Sequence, residues 1–412
     1  MSVTALPPPR ATVGPIGWAR RNLFSSWLNS LVTLVLGSGL LLVIVLVAEW
    51  AVTRARWGVI TTNFRLFLMW IYPLDQAWRV LVALSLLSLI ASITAARSRS
   101  RPLRTLAVWL VAGQLLLSVL SLLSGLEAIA IGDRAARASE AMVIAGGLLV
   151  SAAIGFVALT FGRRIEVPGA LLAIAWLAWL PFTFALLQGF GPLPLIETAA
   201  VGGLLLTFLL AVASIVLSFP FGVLLALGRR SDMIVIRWLS TAYIEVIRGV
   251  PLVTLLFMAA ILLPLFMPGG IRPEHIYRAI AGLTLFTAAY VAENVRGGLQ
   301  AIPTGQIEAA NAIGLNALQR NLYIVLPQAL RSVIPANVGL FISLLKDTTL
   351  VAIAGTGLLE LLGIGQAVLA QTQWVGTYLE VYIFISAVFF VMCYTMSQAS
   401  YRLEAAMGVG TR

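Results

Sequence analysis

Long apolar runs recur along this chain of 412 residues, and each has about the length that crosses a membrane as a helix. A hydrocarbon core about 30 Å thick needs about 20 apolar residues in helical form. Inside that core no water can bond the peptide groups, so such runs fold as helices. The mean hydropathy is +0.99, and only 10% of the residues are charged. The sequence therefore predicts an all-α fold, that of a polytopic helical membrane protein.

The apolar runs predict ten membrane spans. Their approximate bounds are 28–50, 78–96, 103–124, 141–161, 168–187, 199–228, 250–268, 276–298, 333–355 and 377–400. The sixth run is too long for one straight span, and Pro220 is expected to kink it or to mark its inner end. If the N-terminus is cytoplasmic, most arginines fall in inner segments, as membrane proteins generally place them. Both termini are therefore predicted to lie in the cytoplasm.

Composition excludes several function classes. The formal charge of +11 comes from arginines outside the spans, and no basic stripe with interleaved aromatic residues indicates nucleic-acid binding. Cys393 is the only cysteine and His275 the only histidine, which argues against an internal disulfide and against thiolate or histidine metal sites. The chain contains no G-x-x-x-x-G-K-[ST] phosphate loop. We therefore predict no enzymatic activity, no cofactor and no metal site.

The chain divides near residue 195. The predicted parts are a cytoplasmic tail 1–27, a membrane extension of about five spans 28–195, a core of about five spans 196–400 and a cytoplasmic tail 401–412. The extension has one longer outer loop, 51–77, whose aromatic string is expected to lie along the interface or to dip into the membrane. Its spans resemble lipid-facing scaffold, because they carry no paired carboxylates or phosphate loop. Chemistry is expected in the core.

A polar, helix-forming hairpin lies between two spans of the core, over 304–327. Thr304 is a candidate N-cap, and Glu308 follows in the early turns, where a carboxylate suits the helix dipole. Gly314 is expected to end the first helix in a left-handed conformation. Asn316 and Gln319 then have capping-box spacing for a second short helix. The sequence predicts a helix–glycine–helix hairpin on the cytoplasmic side.

The second helix of the hairpin has apolar residues that recur at helical spacing. They are Leu318, Leu322, Val325 and Leu326, and we expect this face to point toward the helix bundle. Gln319, Arg320 and Asn321 would then face the cytosol. The pattern leaves two interpretations open, an ordinary interfacial loop or a rigid docking surface for a cytosolic partner.

Four sequence blocks follow one another in the second half. They are "YIEVIRGVPLVTLLF" from Tyr243, "AAYVAENVRGGLQAIPTGQIEAA" from Ala288, "EAANAIGLNALQRNLYIVLPQAL" from Glu308 and "LLKDTTLVAIAG" from Leu344. These blocks resemble signatures of the permease subunits of ATP-binding-cassette (ABC) importers, in the branch for polar amino acids. The third block resembles the family's EAA loop. The resemblance covers about 199–400, and departs from the pattern at Val250 and Thr349.

This resemblance implies a fold and a set of partners. The fold would be the transmembrane domain of a type I ABC importer with extra N-terminal spans, in a bacterial inner membrane among its lipids. The chain would translocate L-amino acids, whether polar, acidic or broad in range, by alternating access. Its partners would be a cytosolic ABC ATPase dimer, a second permease subunit, identical or related, and a periplasmic substrate-binding protein. The extended length resembles the large permease subunits of general or acidic L-amino-acid importers.

In that family the EAA loop is the coupling helix, which docks on the ATPase. Carried over residue by residue, the resemblance assigns this role to Glu308, Ala309, Ala310, Gly314, Asn316 and Arg320. Because this chain has no nucleotide-binding motif of its own, the energy would come from the docked ATPase.

Charged residues inside membrane spans are costly and usually functional. Lys346 and Asp347 would lie about 20 Å into a span that is entered from the cytoplasm. The two interpretations are a structural ion pair and a contact with a zwitterionic substrate. Thr348 and Thr349 add hydroxyl groups beside them.

Two further groups are candidates in the core. Thr287, Tyr290 and Asn294 share one face of their helix and could contact substrate, although threonine in a membrane helix often bonds its own backbone. The residues expected to have structural or gating roles are Glu245, Arg248, Pro251, Glu293 and Arg296. Glu245 and Arg248 are expected to bond each other across a turn.

Two other function classes compete with the importer. An ion-coupled secondary amino-acid transporter would work without an ATPase, and its uptake would follow an ion gradient. A non-transporting anchoring subunit is the third interpretation, and the charged pair at Lys346 and Asp347 argues against it.

Overall fold

The computed structural model describes residues 14–98, 101–130, 135–268 and 272–407. Nearly all of these residues form helices, because the hydrocarbon core favours backbone groups that bond within one segment. Within the described residues the β-type pairing consists of one isolated bridge, between Gly203 and Glu360. The prediction of an all-α membrane fold is confirmed.

Nineteen α-helices follow one another along the chain. They are α1 (Pro15–Asn22), α2 (Trp27–Thr53), α3 (Gly58–Thr62), α4 (Phe64–Met69), α5 (Ala77–Arg97), α6 (Arg101–Ala130), α7 (Ala135–Phe161), α8 (Gly169–Gln188), α9 (Gly203–Arg229), α10 (Ile234–Gly249), α11 (Leu252–Phe257), α12 (Leu263–Phe266), α13 (His275–Gln300), α14 (Thr304–Ala312), α15 (Ala317–Gln319), α16 (Leu326–Asp347), α17 (Leu350–Ile353), α18 (Leu361–Leu369) and α19 (Tyr378–Met407). Short π-helical turns occupy Met258–Leu262 and Arg320–Val325.

The chain forms two compact units, Met1–Trp57 and Gly58–Arg412. In the first unit, α2 is capped by the Ser26 hydroxyl, which accepts from the Asn29 backbone N–H, and α2 has no buried residue. A helix that is apolar on every side and exposed on every side suits a lipid environment.

In the second unit, α5, α6 and α7 pack closely through small and polar residues. The hydroxyls of Ser118 and Ser121 on α6 donate to the carbonyls of Ala145 and Ala141 on α7. An added Cβ at Gly155 would lie 2.8 Å from Val111 Cγ2. Membrane helices associate through such small residues and hydrogen bonds, since lipid provides no hydrophobic driving force between them.

One hydrophobic cluster joins both halves of the second unit. It contains Tyr72 and Trp179 from the extension, and Leu206 and Leu283 from α9 and α13. The predicted boundary near residue 195 stays a prediction of sequence organisation, because residues on both sides share this cluster.

A buried arginine stabilises the join between α8 and the segment that leads to α9. Arg79 on α5 is 0% exposed, and its guanidinium donates to the carbonyls of Leu186 at 3.4 Å and Pro194 at 3.0 Å. The Tyr72 hydroxyl donates to the Leu187 carbonyl at 2.8 Å. The bonds to Leu186 and Leu187 satisfy carbonyls at the end of α8 that have no partner within the helix, and the bond to Pro194 ties the following segment to the same arginine.

The aromatic loop 51–77 folds as the short helices α3 and α4. Val59, Phe64 and Phe67 are buried there, in a cluster with α18 and with Ile385 of α19. This segment therefore packs against other helices of the protein, and its placement along the interface or dipping into the membrane stays a prediction.

Within the described residues, eight helices are long and apolar enough to cross a membrane, or nine if α10 and the segment Leu252–Phe266 count as one bent span. The predicted span 276–298 corresponds to α13, which is 26 residues long but is not among those eight. Its histidine, arginine and glutamate side chains lower its hydropathy. Pro220 does not mark the inner end of the sixth span, because α9 continues through it to Arg229, and the predicted kink at Pro220 stays a prediction.

The carboxylate of Glu360 lies beside the N-terminal end of α9, where Gly203 forms a bridge with Glu360. Glu360 is 0% exposed and caps α18, accepting from the backbone N–H groups of Leu362 and Gly363, each at 2.9 Å. Beside it, the Thr207 hydroxyl accepts from the Leu361 N–H, and the Gly203 N–H donates to the Leu359 carbonyl. Burial raises the pKa of Glu360 to about 7, although the two backbone hydrogen bonds act to lower it.

This capping carboxyl makes stability depend on pH. Its pKa in the folded state exceeds the value of about 4.3 expected for an unfolded chain. Its stabilising contribution is therefore complete below about pH 4 and is lost as the pH rises through about 7. Glu360→Gln, which cannot ionise, should flatten the fall in melting temperature between pH 5 and pH 8. Glu360→Ala should lower the unfolding free energy at pH 5 by about 0.5–2 kcal/mol. Parallel pH profiles for wild type and Glu360→Gln would contradict this account.

Candidate functional site

The hairpin that follows α13 has the predicted helix–glycine–helix form. Gly314 has φ of +82°, in the left-handed region, and α14 ends just before it. The Asn316 side chain accepts from the Gln319 N–H at 2.9 Å, and the Gln319 side chain accepts from the Asn316 N–H at 3.1 Å. The predicted capping box is present. Thr304 is the first helical residue, so the predicted N-cap at Thr304 is wrong by one position, and the flanking residue is Pro303.

A side-chain hydrogen bond joins the two arms of the hairpin. The Arg320 guanidinium donates to the Asn311 side-chain oxygen at 2.9 Å. Ala310 is buried, and its carbonyl accepts from the Leu315 N–H. Glu308 and Ala309 are exposed. The turn is therefore fixed by bonds on both sides of Gly314.

The apolar residues of the hairpin do not all face the bundle. Leu318 is 68% exposed and Leu322 is 45% exposed, whereas Val325 is buried. The prediction that Leu318 and Leu322 point inward is wrong. The reason is the π-helical turn Arg320–Val325, whose wider spacing breaks the 3.6-residue period that the prediction assumed. Together with the exposed Ile313 and Tyr323, these side chains form an apolar patch, which we call the hairpin patch.

A cluster of five charged side chains lies at the ends of α9, α10 and α13 nearest the hairpin. Its members are Arg229, Glu245, Arg248, Glu293 and Arg296. Glu293 is the centre, because Arg248 and Arg229 approach it at 3.4 Å and 3.6 Å, and Arg296 donates to both of its oxygens. Arg229 also pairs with Glu245 at 2.8 Å. Three arginines share two carboxylates.

The pairing within this charge cluster differs from the prediction in one respect. Glu245 and Arg248 do not bond each other; Glu245 pairs with Arg229 and Arg248 pairs with Glu293. Arg229 was not among the predicted site residues. Its sequence position at the end of a long apolar run gave no indication of a partner, because its partners lie on two other helices.

The bend between α10 and the following helix sets the position of this cluster. α10 and the segment Leu252–Phe266 meet at 109°, and Pro251 stands at the break. Proline has no N–H to continue a helix and disfavours helical geometry at the preceding residue. The predicted structural role of Pro251 fits this position.

The predicted substrate face of α13 is partly engaged in internal contacts. Thr287 is buried, and the Asn294 side chain donates to the side chain of Asn337 on α16 at 3.0 Å. The Tyr290 ring lies 5.6 Å from the Arg248 guanidinium carbon, in cation–π contact. Tyr290 thus joins the substrate face to the charge cluster.

Lys346 and Asp347 are the last two residues of α16 and do not lie in the middle of a span. The helix begins at Leu326 and ends at Asp347, so the predicted span 333–355 is wrong at both ends. Within the described residues, the two side chains form no ion pair within 4 Å, and Lys346 is exposed. The hydroxyls of Thr348 and Thr349 donate to the carbonyls of Leu345 and Lys346, as threonines in membrane helices commonly do.

The face of α16 that carries Lys346 is lined by small residues. Ser332, Ala336, Gly339 and Ser343 are all exposed and recur at helical spacing toward Lys346. We call this row the α16 seam. An exposed lysine on a lipid-facing surface is costly, so the seam is suited to face protein or water. Among the described residues, no group of three or more metal-ligating side chains comes together.

Comparison with known proteins places these features in a family context. Residues 218–407 match the family described as binding-protein-dependent transport system inner membrane component. The match includes α10, the hairpin and α16, and lies in the second half of the chain.

Curated relatives match over nearly the whole chain. A glutamate/glutamine/aspartate/asparagine transport system permease protein of Rhodobacter capsulatus is 38% identical, over 97% of this chain and 95% of that protein. An inner membrane amino-acid ABC transporter permease protein of Escherichia coli is 35% identical, over 95% of this chain and 93% of that protein. A probable glutamine ABC transporter permease protein of Bacillus subtilis is 37% identical, over 49% of this chain and 90% of that protein. The extended length thus recurs in some relatives and is absent from others.

The charge cluster predicts a specific stability effect. Glu293→Gln removes the carboxylate shared by three arginines and should lower the unfolding free energy by about 1–3 kcal/mol, a range reduced because the groups are partly exposed. The double variant Glu293→Gln/Arg296→Gln should recover part of the lost stability, since it also removes the Arg296 charge that the first change leaves without its carboxylate partner. Thermal unfolding of the purified protein in lipid nanodiscs measures both effects. Glu308→Gln is the matched control, because Glu308 is exposed. Equal effects at Glu293 and Glu308 would show that the cluster contributes no stability.

Proposed function

The chain belongs to the family of binding-protein-dependent transport system inner membrane components, and from this membership we propose that it is the permease subunit of an ATP-driven importer of L-amino acids. Such a subunit is a multi-pass inner-membrane protein. The relatives are ABC permeases, and this favours the proposal over an ion-coupled secondary transporter. The printed name of the Rhodobacter capsulatus relative, which lists glutamate, glutamine, aspartate and asparagine, supports polar and acidic amino acids as the substrate class, and the name of the Escherichia coli relative supports amino acids in general.

The observation that carries the coupling part of the proposal is the hairpin patch. Ile313, Leu318 and Tyr323 are 74%, 68% and 70% exposed on a turn that is held rigid by hydrogen bonds. Large apolar side chains on a cytoplasmic turn are unfavourable in water and favourable in a partner's groove. We propose that a cytosolic ATPase dimer covers this patch, and that Glu308, Ala309, Gly314, Asn316 and Arg320 shape the docked hairpin.

The charge cluster is proposed to act as an inner gate. α13 ends at Gln300 and the hairpin begins at Thr304, so movement of the hairpin is transmitted directly to α13. The Arg230 guanidinium donates to the Leu299 carbonyl at 3.1 Å, which ties α9 to the same end of α13. Partly exposed ion pairs of this kind can separate at modest cost and reform. Glu293 would hold α9, α10 and α13 together in one of the two access states.

The α16 seam is proposed to line the pathway, beside a second permease subunit. Lys346 would meet the carboxylate of the substrate and Asp347 its ammonium group. Thr287, Tyr290 and Asn294 are proposed to contribute through α13, although Asn294 is already bonded to Asn337 in this structure. A periplasmic substrate-binding protein would deliver the amino acid.

The coupling role predicts the effect of Gly314→Val. A β-branched residue at φ of +82° strains the backbone by about 1–3 kcal/mol, and that strain should tilt one arm of the hairpin against the other. The protein should still insert and receive substrate. Stimulation of ATP hydrolysis by loaded binding protein and amino-acid uptake should both fall by roughly tenfold or more, as ~1.4 kcal/mol per tenfold allows.

Gly305→Val is the matched control for this experiment. Gly305 lies in the same hairpin without a left-handed φ, and an added Cβ there meets nothing within 4 Å. The control complex should therefore keep its stimulated ATPase activity. Wild-type stimulation in a folded Gly314→Val complex would mean that the hairpin is an ordinary loop.

The proposed contact with substrate predicts the effect of Lys346→Met. Methionine is unbranched and only one atom shorter than lysine, and it removes the charge. Loss of one charge-assisted hydrogen bond, about 1.5–3 kcal/mol, should lower uptake roughly ten- to hundredfold. Basal ATPase activity and assembly with the ATPase should stay intact, because Lys346 lies at the end of α16 opposite the hairpin. Lys346→Arg keeps the charge and should retain more uptake than Lys346→Met. Normal uptake by Lys346→Met would remove the seam from the substrate site.

A further inference from the structure

A small cavity lies at the end of the second unit opposite the hairpin. It measures about 40 Å³ and is lined by Ala260, Ile261, His275, Arg278, Gly355 and Thr356. α13 begins at this cavity with His275 and runs from there toward the hairpin. In the predicted topology this is the outer side of the membrane. None of the lining residues belongs to the charge cluster, the α16 seam or the predicted substrate face.

Arg278 brings an uncompensated positive charge to the cavity. Its Nε donates to the Pro273 carbonyl at 2.7 Å, and its Nη1 donates to the Ala260 carbonyl at 2.5 Å. Ala260 lies in the π-helical turn Met258–Leu262, where wider spacing makes a carbonyl available to a side chain. Both acceptors are neutral, and within the described residues no carboxylate lies within 4 Å of the Arg278 guanidinium. The side chain is therefore fixed in place while its charge is not neutralised.

The loop on the other side of the cavity is rich in free donors. Gly355 and Gly357 have φ of +65° and +72°, on either side of Thr356. The backbone N–H groups of these three residues donate to no acceptor in the part of the chain that the structure describes. Successive N–H groups in such left-handed turns form concave sites that bind anions. The Thr356 hydroxyl is already occupied, since it donates to the Val351 carbonyl and accepts from the Leu358 N–H.

His275, the only histidine, closes the third side. It is exposed, and its Nδ1 lies 3.4 Å from the position that a Cβ on Gly357 would occupy. The unbonded polar groups around the cavity are thus hydrogen-bond donors. The Arg278 guanidinium, the His275 imidazole and the backbone of Gly355 and Thr356, whose two N–H groups are unbonded within the described residues, line it, while the Ala260 carbonyl and the Thr356 hydroxyl are already bonded. A ligand there must accept hydrogen bonds, and a negative charge would be favoured.

We propose that this cavity is a binding site for a single carboxylate group. The cavity of about 40 Å³ has room for roughly three water molecules, which is about the size of one carboxylate group. A larger anion would not be enclosed. The source of the carboxylate rests on the proposed function. In an importer it is either the imported amino acid on its way to the α16 seam or an acidic side chain of the docked binding protein.

The test uses the purified full complex in nanodiscs, with sodium formate as the probe. Formate should raise the melting temperature of the wild-type complex in a manner that saturates with concentration, because it binds only the folded state. Ala260→Val places two methyl groups in the cavity and keeps every charge, and it should reduce this rise on the order of fivefold. His275→Gln should reduce the rise without filling the cavity.

Arg272→Gln is the matched control, because it removes a positive charge from the exposed segment just before α13 without touching the cavity. It should keep the wild-type response to formate. The proposal is overturned if formate gives no saturable rise in the wild type, or if Ala260→Val responds as fully as Arg272→Gln. Neither outcome depends on uptake, so this experiment tests the carboxylate site independently of the proposed function.

A second measurement identifies the source of the carboxylate. If it belongs to the imported amino acid, the Ala260→Val complex should bind substrate-free binding protein as the wild type does, while its uptake falls severalfold. If it belongs to the binding protein, the affinity of the Ala260→Val complex for substrate-free binding protein should fall severalfold. Both results support a carboxylate site. Unchanged uptake together with unchanged affinity would overturn a role for the site in import.

Discussion

The high cost of a charge that is neither paired nor hydrated in hydrocarbon determines where this protein places its polar groups. Apolar helices account for most of the chain, and its ionised side chains gather at the ends of those helices. Arg79 is fully buried, as is Glu360, and it is held by the carbonyls of Leu186 and Pro194. Elsewhere, three arginines surround Glu293, and Arg278 is held by two carbonyls. Each of these charged groups is held by carboxylates or by carbonyls of the fold.

The same constraint connects the two ends of the core. α13 begins at the cavity beside Arg278, passes the substrate face and the charge cluster, and ends three residues before the hairpin. One helix therefore connects the outer cavity, the charge cluster and the segment that leads into the hairpin. α9 packs along it, with Gly222 so close that an added Cβ would lie 2.6 Å from Val291. Contact this close means that a movement of α13 acts on α9, and α13 itself runs from the outer cavity toward the hairpin.

The sequence predicted those features that depend on neighbouring residues along the chain. The left-handed Gly314 and the Asn316 capping box follow from residue-specific backbone preferences, and both are present. Hydropathy predicted most of the long helices, although the predicted span 333–355 has other ends. The partners of Arg229 could not be predicted, because they depend on how three helices pack. The exposure of Leu318 was missed since a π-helical turn shifts the helical period. The end of α16 at Asp347 and the outer cavity were missed for similar reasons, as both depend on turns that hydropathy does not reveal.

The central claim is that this permease moves amino acids only when an ATPase pulls on its hairpin. Proteoliposomes that contain the complete complex allow a direct test, with radiolabelled L-glutamate and loaded binding protein supplied on the outer side. The account predicts that uptake requires ATP on the hairpin side and is unaffected when imposed proton and sodium gradients are dissipated. Uptake that persists without ATP and is driven by an ion gradient would contradict it.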